Sequence, residues 1–158
     1  MVKFIIASAL LLSVVAMPVQ AQVPTETKKE TPKFDPKRDP DRDLAAAIKL
    51  ATKENKRIML DVGGEWCPWC HKLDKFFETN DEARKILKDK YVVVKINFSP
   101  ENENKAFLGK YPKINGYPHL FVLDKSGKLL HSQDTGLLET GPAHDPAKVI
   151  PFLNKWAG

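Results

Sequence analysis

Two cysteines are all that this chain of 158 residues contains, and they stand three apart, at Cys67 and Cys70. A disulfide that staples an exported fold usually joins distant segments. This pair closes only a tiny loop and restricts the unfolded chain little, so chemistry explains it better than stability does. The pair also supplies only two of the roughly four ligands of a closed structural zinc site. Long apolar runs are missing too. The one apolar stretch, Phe4 to Leu12 continued by Val14 to Met17, falls short of the ~20 residues that span a bilayer. No cysteine stands directly after it, which argues against a lipid anchor. Neither sign of charge dominates: 25 basic and 20 acidic residues leave +5. Lys28-Lys29 and Lys37-Arg38 are each followed closely by acids, a solvated mixture with no patch that argues for nucleic acid. Internal repeats are absent.

What is present begins with a leader. Residues 1–21 carry Lys3, the apolar stretch, and then Pro18-Val19-Gln20-Ala21 with small residues three apart. That is the layout of a secretory signal cut after Ala21. Loss of Lys3 lowers the net charge from +5 to +4. The remaining chain is long enough for one domain with its own core. Residues 22–42 are polar, with prolines at 24, 32, 36 and 40 and Phe34 as the only aromatic. They read as an extended linker or loosely attached arm. The expected domain covers 43–158.

Within it, Asp41 or Asp43 can cap a helix through LAAAIKLATKENK. Ile58 to Val62 is an apolar run with the length of a buried strand, broken by Gly63-Gly64. A helix is expected from Cys67, with Cys70, Leu73, Phe76 and Phe77 on one side. Asn80 or Asp81 caps a second helical stretch, DEARKILKDK. Tyr91 to Asn97 is a β-branched strand, and residues 101–110 read as helical. Leu120 to Asp124 is a strand joined by the turn Lys125-Ser126-Gly127-Lys128 to Leu129-Leu130-His131. An amphipathic helix containing Pro151 closes the chain. Strands alternating with helices argue for parallel pairing, and the closing hairpin adds an antiparallel pair. The fold class is α/β, a mixed central sheet with helices on both faces.

The cysteine spacing puts both side chains on one side of a helix, close enough to bridge. Cys67 stands where a strand ends and a helix begins. Unpaired N–H groups and the helix dipole favour an anion there, and the thiolate is the attacking species. Pro68 suits the first turn, where no N–H is needed. Cys70, one turn in, is expected to be the more buried. Cys67 is therefore the candidate attacking sulfur and Cys70 the resolving one. Asp61, flanked by Leu60 and Val62, reads as a buried acid, which needs a reason.

Glu65-Trp66-Cys67-Pro68-Trp69-Cys70 after a strand resembles the active site of the thioredoxin superfamily, in particular exported thioredoxin-like proteins with a WCxWC motif. The resemblance covers about residues 43–157. It implies a thioredoxin-like fold, with Asp61 as the buried acid and Lys95 as the lysine that pairs with it. It also implies that Pro118 in Gly116-Tyr117-Pro118 is a cis-proline facing the disulfide. Three departures stand out: Pro-Trp between the cysteines, Tyr117 before the proline, and His119 after it. They bear on potential and on partner choice.

The expected reaction is thiol–disulfide exchange with protein thiols and disulfides, recycled by a redox partner, with no organic cofactor or metal. Asp61 would take the Cys70 proton. Partners would dock as an extended strand beside Tyr117-Pro118, with Trp66, Trp69 and Tyr117 as an apolar rim. His119 beside that edge would add pH sensitivity. The expected location is exported: periplasmic in a Gram-negative cell, otherwise secreted. Two other readings remain open. Cys67-Pro68-Trp69-Cys70-His71 also matches the attachment string of a c-type haem. A non-catalytic module of the same fold with an inert disulfide is the third.

Overall fold

In the computed structural model, which describes residues 33–158, the apolar run after Lys56 forms the central strand β1 (Arg57–Gly63), with every residue beyond Arg57 buried. A strand covered on both faces has no solvent side, so its sequence shows no polar alternation. β1 pairs in parallel with β2 (Tyr91–Asn97) and antiparallel with β3 (His119–Leu123). β4 (Leu129–Asp134) returns from β3 through the expected tight turn, giving the order β2-β1-β3-β4. In that turn Gly127 takes φ +88°, a left-handed conformation that glycine adopts without steric cost.

One face of the sheet is covered by α1 (Pro40–Glu54) and α4 (Lys105–Leu108). Ala47, Ala51, Ile58, Leu60, Phe107 and Phe121 meet there. The other face carries α2 (Pro68–Thr79), α3 (Asp81–Lys90) and α5 (Pro146–Trp156), around Met59, Leu73, Leu120, Val122 and Leu153. This is the expected mixed sheet with helices on both faces.

Alternation suggested parallel pairing throughout the strands before the hairpin, but β3 runs antiparallel to β1. The difference lies in the connection. A parallel return usually runs through a crossover helix packed along the sheet. The connection over residues 98–118 holds only α4, with 4 residues, a rise of about 6 Å. The helix expected over 101–110 is cut to that single turn because Asn97 Nδ2 donates to the Asn102 carbonyl at 2.7 Å and Asn104 sits at φ 48°. The chain therefore stays at one end of the sheet and enters β3 from there. That end is also where β1 delivers the cysteines.

The N-terminal side differs from expectation as well. α1 starts at Pro40, capped by the Asp39 side chain, which accepts from the backbone of Asp41 and Arg42. Proline needs no N–H in a first turn, so the helix begins before Asp43. Of the expected linker over 22–42, the described part packs closely: Phe34 is buried and residues 40–42 are helical. The expected signal over 1–21 and the rest of the linker lie outside the described residues. Two further elements went unforeseen, a 3₁₀ turn at Thr135–Leu138 and a small hairpin of β5 (Glu139–Thr140) and β6 (Ala143–His144). Two-residue strands carry no periodicity for a sequence reading to find.

Phe121 is fully buried and stacks on Tyr111 at 4.9 Å. Phe121→Ala should cost about 3–5 kcal/mol of unfolding free energy, read from urea denaturation. A loss below about 1 kcal/mol would show that this face of the sheet repacks freely.

Candidate active site

Three chain segments reach one edge of the sheet. β1 ends there at Gly63 opposite Asn97 of β2, and β3 begins there, with His119 opposite Val62. Beyond Asn97, Phe98 N–H donates to Gly63 O at 2.6 Å and holds the edge together. The chain then turns through Gly64 and Glu65, and α2 starts with Cys67 as its N-cap. The Cys67 sulfur accepts the Cys70 N–H at 3.1 Å. A helix start offers both this donor and the positive end of its dipole, so a Cys67 thiolate would be stabilised there.

The two sulfurs are joined in a disulfide with Cα atoms 5.3 Å apart. Cys70 was expected to be the more hidden, but burial does not separate them: Cys67 is 2% exposed and Cys70 1%. Phe34, Trp69 and Tyr117 all pack on the pair. The Tyr117–Pro118 peptide is cis, and Pro118 O accepts from Thr135 Oγ1 at 2.6 Å.

The aromatic residues singled out from sequence do not form one rim. Trp66 is half exposed, anchored by its Nε1 donating to Phe98 O at 2.7 Å. Its ring stands edge-on to Tyr117 at 5.8 Å, and Tyr117 stacks on Phe98 at 4.7 Å. Gly64 makes room for this wall, since a β-carbon there would collide with the Trp66 indole and lie 2.7 Å from Phe98 O. Trp69 belongs to a separate group. It stands edge-on to His144 of β6 at 5.5 Å, under the Lys72 ammonium at 3.9 Å. Lys72 also donates to Pro142 O at 2.9 Å, tying the small hairpin to α2.

Behind the cysteines lies an ion cluster. Asp61 and Lys95 are register neighbours on β1 and β2, so their side chains leave the same face of the sheet. Lys95 Nζ donates to Asp61 Oδ2 at 2.6 Å. It also donates to Asp74, an acid that the sequence reading passed over. Asp74 lies one helical turn beyond Cys70, and its signal was an acid beside the apolar stripe of Cys70, Leu73 and Phe77, all of them buried. Asp61 and Asp74 are both buried, while Lys95 keeps 23% of its side chain exposed. Burial pushes the Asp61 carboxyl above the usual carboxylate range, against the pull of Lys95 and with a further push from Asp74. Burial disfavours the Lys95 charge, but the two acids outweigh it and leave its pKa raised.

The histidines fall in three places. His119 is buried on the face opposite Asp61, with Nε2 2.8 Å from Ser132 Oγ and its ring 4.7 Å from Phe121. Burial holds its pKa below the usual value, against the pull of Asp134. It is thus a core group and not the surface titrating group expected. His144 is also buried, and its pKa is lowered for the same reason. His71 Nε2 lies 2.8 Å from Glu65 O. The haem reading needs both cysteine sulfurs for attachment and His71 for iron. Here the sulfurs are bonded to each other, and His71 is engaged with the chain. Among the described residues no set of three or more His, Cys, Asp or Glu side chains gathers as a metal site.

The family model described as thioredoxin-like matches residues 39–125, more than half of the chain. The chain belongs to the thioredoxin-like family. A curated relative, the thiol:disulfide interchange protein DsbD of Actinobacillus pleuropneumoniae, is 30% identical over 92 residues, 58% of this chain and 16% of DsbD. This thioredoxin-like chain therefore spans only a small part of that relative's length. A disulphide isomerase from Xylella fastidiosa superposes with a TM-score of 0.67 at 23% identity, over 77% of this chain and 94% of that one. The C-terminal domain of Neisseria meningitidis DsbD in its oxidised form gives 0.53 at 21% identity, over 75% and 96%. The structural likenesses establish the fold.

The raised Asp61 carboxyl has a consequence for stability. A group that binds its proton more tightly when folded stabilises the protein below its unfolded pKa, and that contribution is lost as pH rises through the folded value. Asp61→Asn removes the titration. Its stability relative to the parent protein should therefore climb as pH rises above the ordinary carboxylate range of about 4. Urea unfolding across acid to neutral pH measures this, and a pH-independent difference would contradict the raised value.

Proposed function

We propose that this protein is a thiol–disulfide oxidoreductase that exchanges the Cys67–Cys70 dithiol and disulfide with partner proteins. The observation that carries the reading is a cysteine pair at a helix start, backed on the same side of the sheet by a buried acid held by a lysine. In the reducing direction Cys67 thiolate attacks one sulfur of a partner disulfide. A Cys67–partner bond forms, the partner disulfide breaks, and its other sulfur leaves as a thiolate. Cys70 gives its proton to Asp61, and its thiolate attacks Cys67 Sγ. The Cys67–Cys70 bond forms, and the partner leaves reduced by two electrons. The reverse sequence oxidises a partner dithiol, with Cys70 leaving as a thiolate and taking its proton back from Asp61.

Each residue contributes by its chemistry. The Cys70 N–H and the helix start favour charge on Cys67. Lys95 keeps the buried acids tolerable, and a carboxyl with a raised pKa exchanges protons with a thiol more readily than an ordinary one does. Trp66 and Tyr117 offer an exposed aromatic wall for a partner segment next to Pro118, while Trp69 borders the opposite side. No organic cofactor or metal enters these steps. The leader over 1–21 supports action in an exported compartment, with a second redox protein to reset the pair.

Trapping tests the reading. Cys70→Ser should accumulate mixed disulfides with partner proteins on non-reducing gels, and Cys67→Ser should accumulate few. The native protein should reduce insulin in the presence of dithiothreitol. Equal trapping by both variants would overturn the assignment of Cys67, and a pair inert to insulin and to glutathione would return the protein to a binding role.

A further inference from the structure

The strap that precedes α1 holds one feature that the exchange steps leave unused. Residues 33–38 are polar except for Phe34 and Pro36, yet Phe34 is 1% exposed. Its ring joins neither of the two cores on the sheet faces. It forms a third cluster with Cys67 and Cys70. Three neighbours locate it. A β-carbon at Gly63 would lie 3.2 Å from the Phe34 ring and 2.5 Å from Cys70 Sγ, so the missing side chain lets ring and sulfur settle together on the end of β1. The Lys95 ammonium stands 4.7 Å from the ring centroid. Phe34 thus touches the resolving cysteine on one side and the lysine of the ion cluster on the other.

The strap is fastened as well as packed. Phe34 N–H donates to Glu65 Oε1 at 2.8 Å, one residue before the Trp66-Cys67 turn. Asn102 Nδ2 donates to Pro36 O at 2.9 Å. Lys33 pairs with Glu78 and lies 3.6 Å from Asp74 Oδ2. Arg38 makes two hydrogen bonds to Asp43, both at 2.7 Å. These anchors lie on the β1–α2 turn, the loop after β2, α2 and α1, so the ring is held from several directions.

We propose that Phe34 is a positioning residue for the exchange reaction: its ring closes the solvent side of the Cys70, Asp61, Asp74 and Lys95 group and keeps the proton acceptor dry. The inference rests on the exchange reading above. A buried carboxyl holds its proton tightly because water is excluded, and a thiol in the same place resists ionisation for the same reason. Charged and titratable groups face Asp61 from every side. Lys95 comes from β2, Asp74 from α2 and His144 from β6, while Lys33 of the strap acts on Asp74. Trp69 and Tyr117 also pack on the cysteine pair, but among the described residues Phe34 is the ring that touches both the Cys70 end of the pair and the Lys95 ammonium. Water admitted there would loosen the proton on both Asp61 and Cys70, so both effects move the pH dependence in the same direction.

The test is the pH profile of the resolving step. A mixed disulfide between Cys67 and thionitrobenzoate is formed, and release of the coloured thiol is followed from acid to alkaline pH. In the parent protein the rate should rise through a midpoint set by the Cys70 and Asp61 protons. Phe34→Ala should move that midpoint down by about one pH unit, a tenfold change in proton affinity. Phe34→Leu should restore most of the parent value. Glu65→Ala unfastens the strap and leaves the ring intact. It should shift the midpoint the same way by less, and it supplies the measurement if Phe34→Ala does not fold. An unchanged midpoint in folded Phe34→Ala, or in Glu65→Ala where that variant has to serve, would make Phe34 a structural anchor only and overturn the proposal. If the parent protein shows no thiol release at any pH, the exchange reading itself falls, and this inference with it.

Discussion

A carboxylate inside the core is the constraint on which the rest of this structure depends. Asp61 lies in the middle of a strand whose other interior residues are apolar, with 1% of its surface exposed. A lone charge in that position costs several kcal/mol, and removing the partner of a buried pair leaves the same debt. Lys95 answers it from the adjacent strand, so β1 and β2 must pair in this register and no other. A slip by one residue would send Lys95 to the opposite face. The requirement passes on to α2, because Asp74 shares the same ammonium and fixes how that helix lies over the sheet. The cysteine pair rides on the first turn of that helix. The position of the disulfide is therefore tied to the ion cluster by covalent geometry, without any direct bond between them.

The second constraint is topological. A connection that forms no crossover helix keeps residues 98–118 at one end, so β3 starts beside the point where β1 stops. Phe98, Tyr117 and Trp66 converge there into one aromatic wall. Glycines at 63 and 64 are needed for close approach: one admits the Cys70 sulfur and the Phe34 ring, the other the Trp66 indole. Polar groups at this edge are tied largely to backbone atoms, as in Trp66 to Phe98 O and Thr135 to Pro118 O. Such bonds hold the side chains whatever sits in the groove.

Much of this was legible from residues alone. The strand cores, the capped helix after Cys67, the closing hairpin and the pairing of Asp61 with Lys95 follow from local patterns and from the family likeness. An apolar strand run, or a proline after a cap, is a short-range fact that the order of residues states directly, whereas the pairing of Asp61 with Lys95 came from the family likeness. The fold class follows from them, because alternating elements with apolar stripes leave few ways to bury those stripes.

What only the tertiary structure decided is set by contacts between distant segments. Asp74 looked like one charge among many on an amphipathic helix, and its meaning appeared when the helix was laid against Lys95. Phe34 sat in a polar, proline-rich stretch with every local mark of a loose arm. It is buried because a hole lined by Gly63, Cys70 and Lys95 exists 29 residues and more further along the chain. His119 was expected at a wet edge and lies in the core, since the strand pleat turns it away from Asp61. Local sequence determines which residues can carry charge, sulfur or a ring. Which of them share one dry space depends on the closing of the sheet, and no short window of the chain contains it.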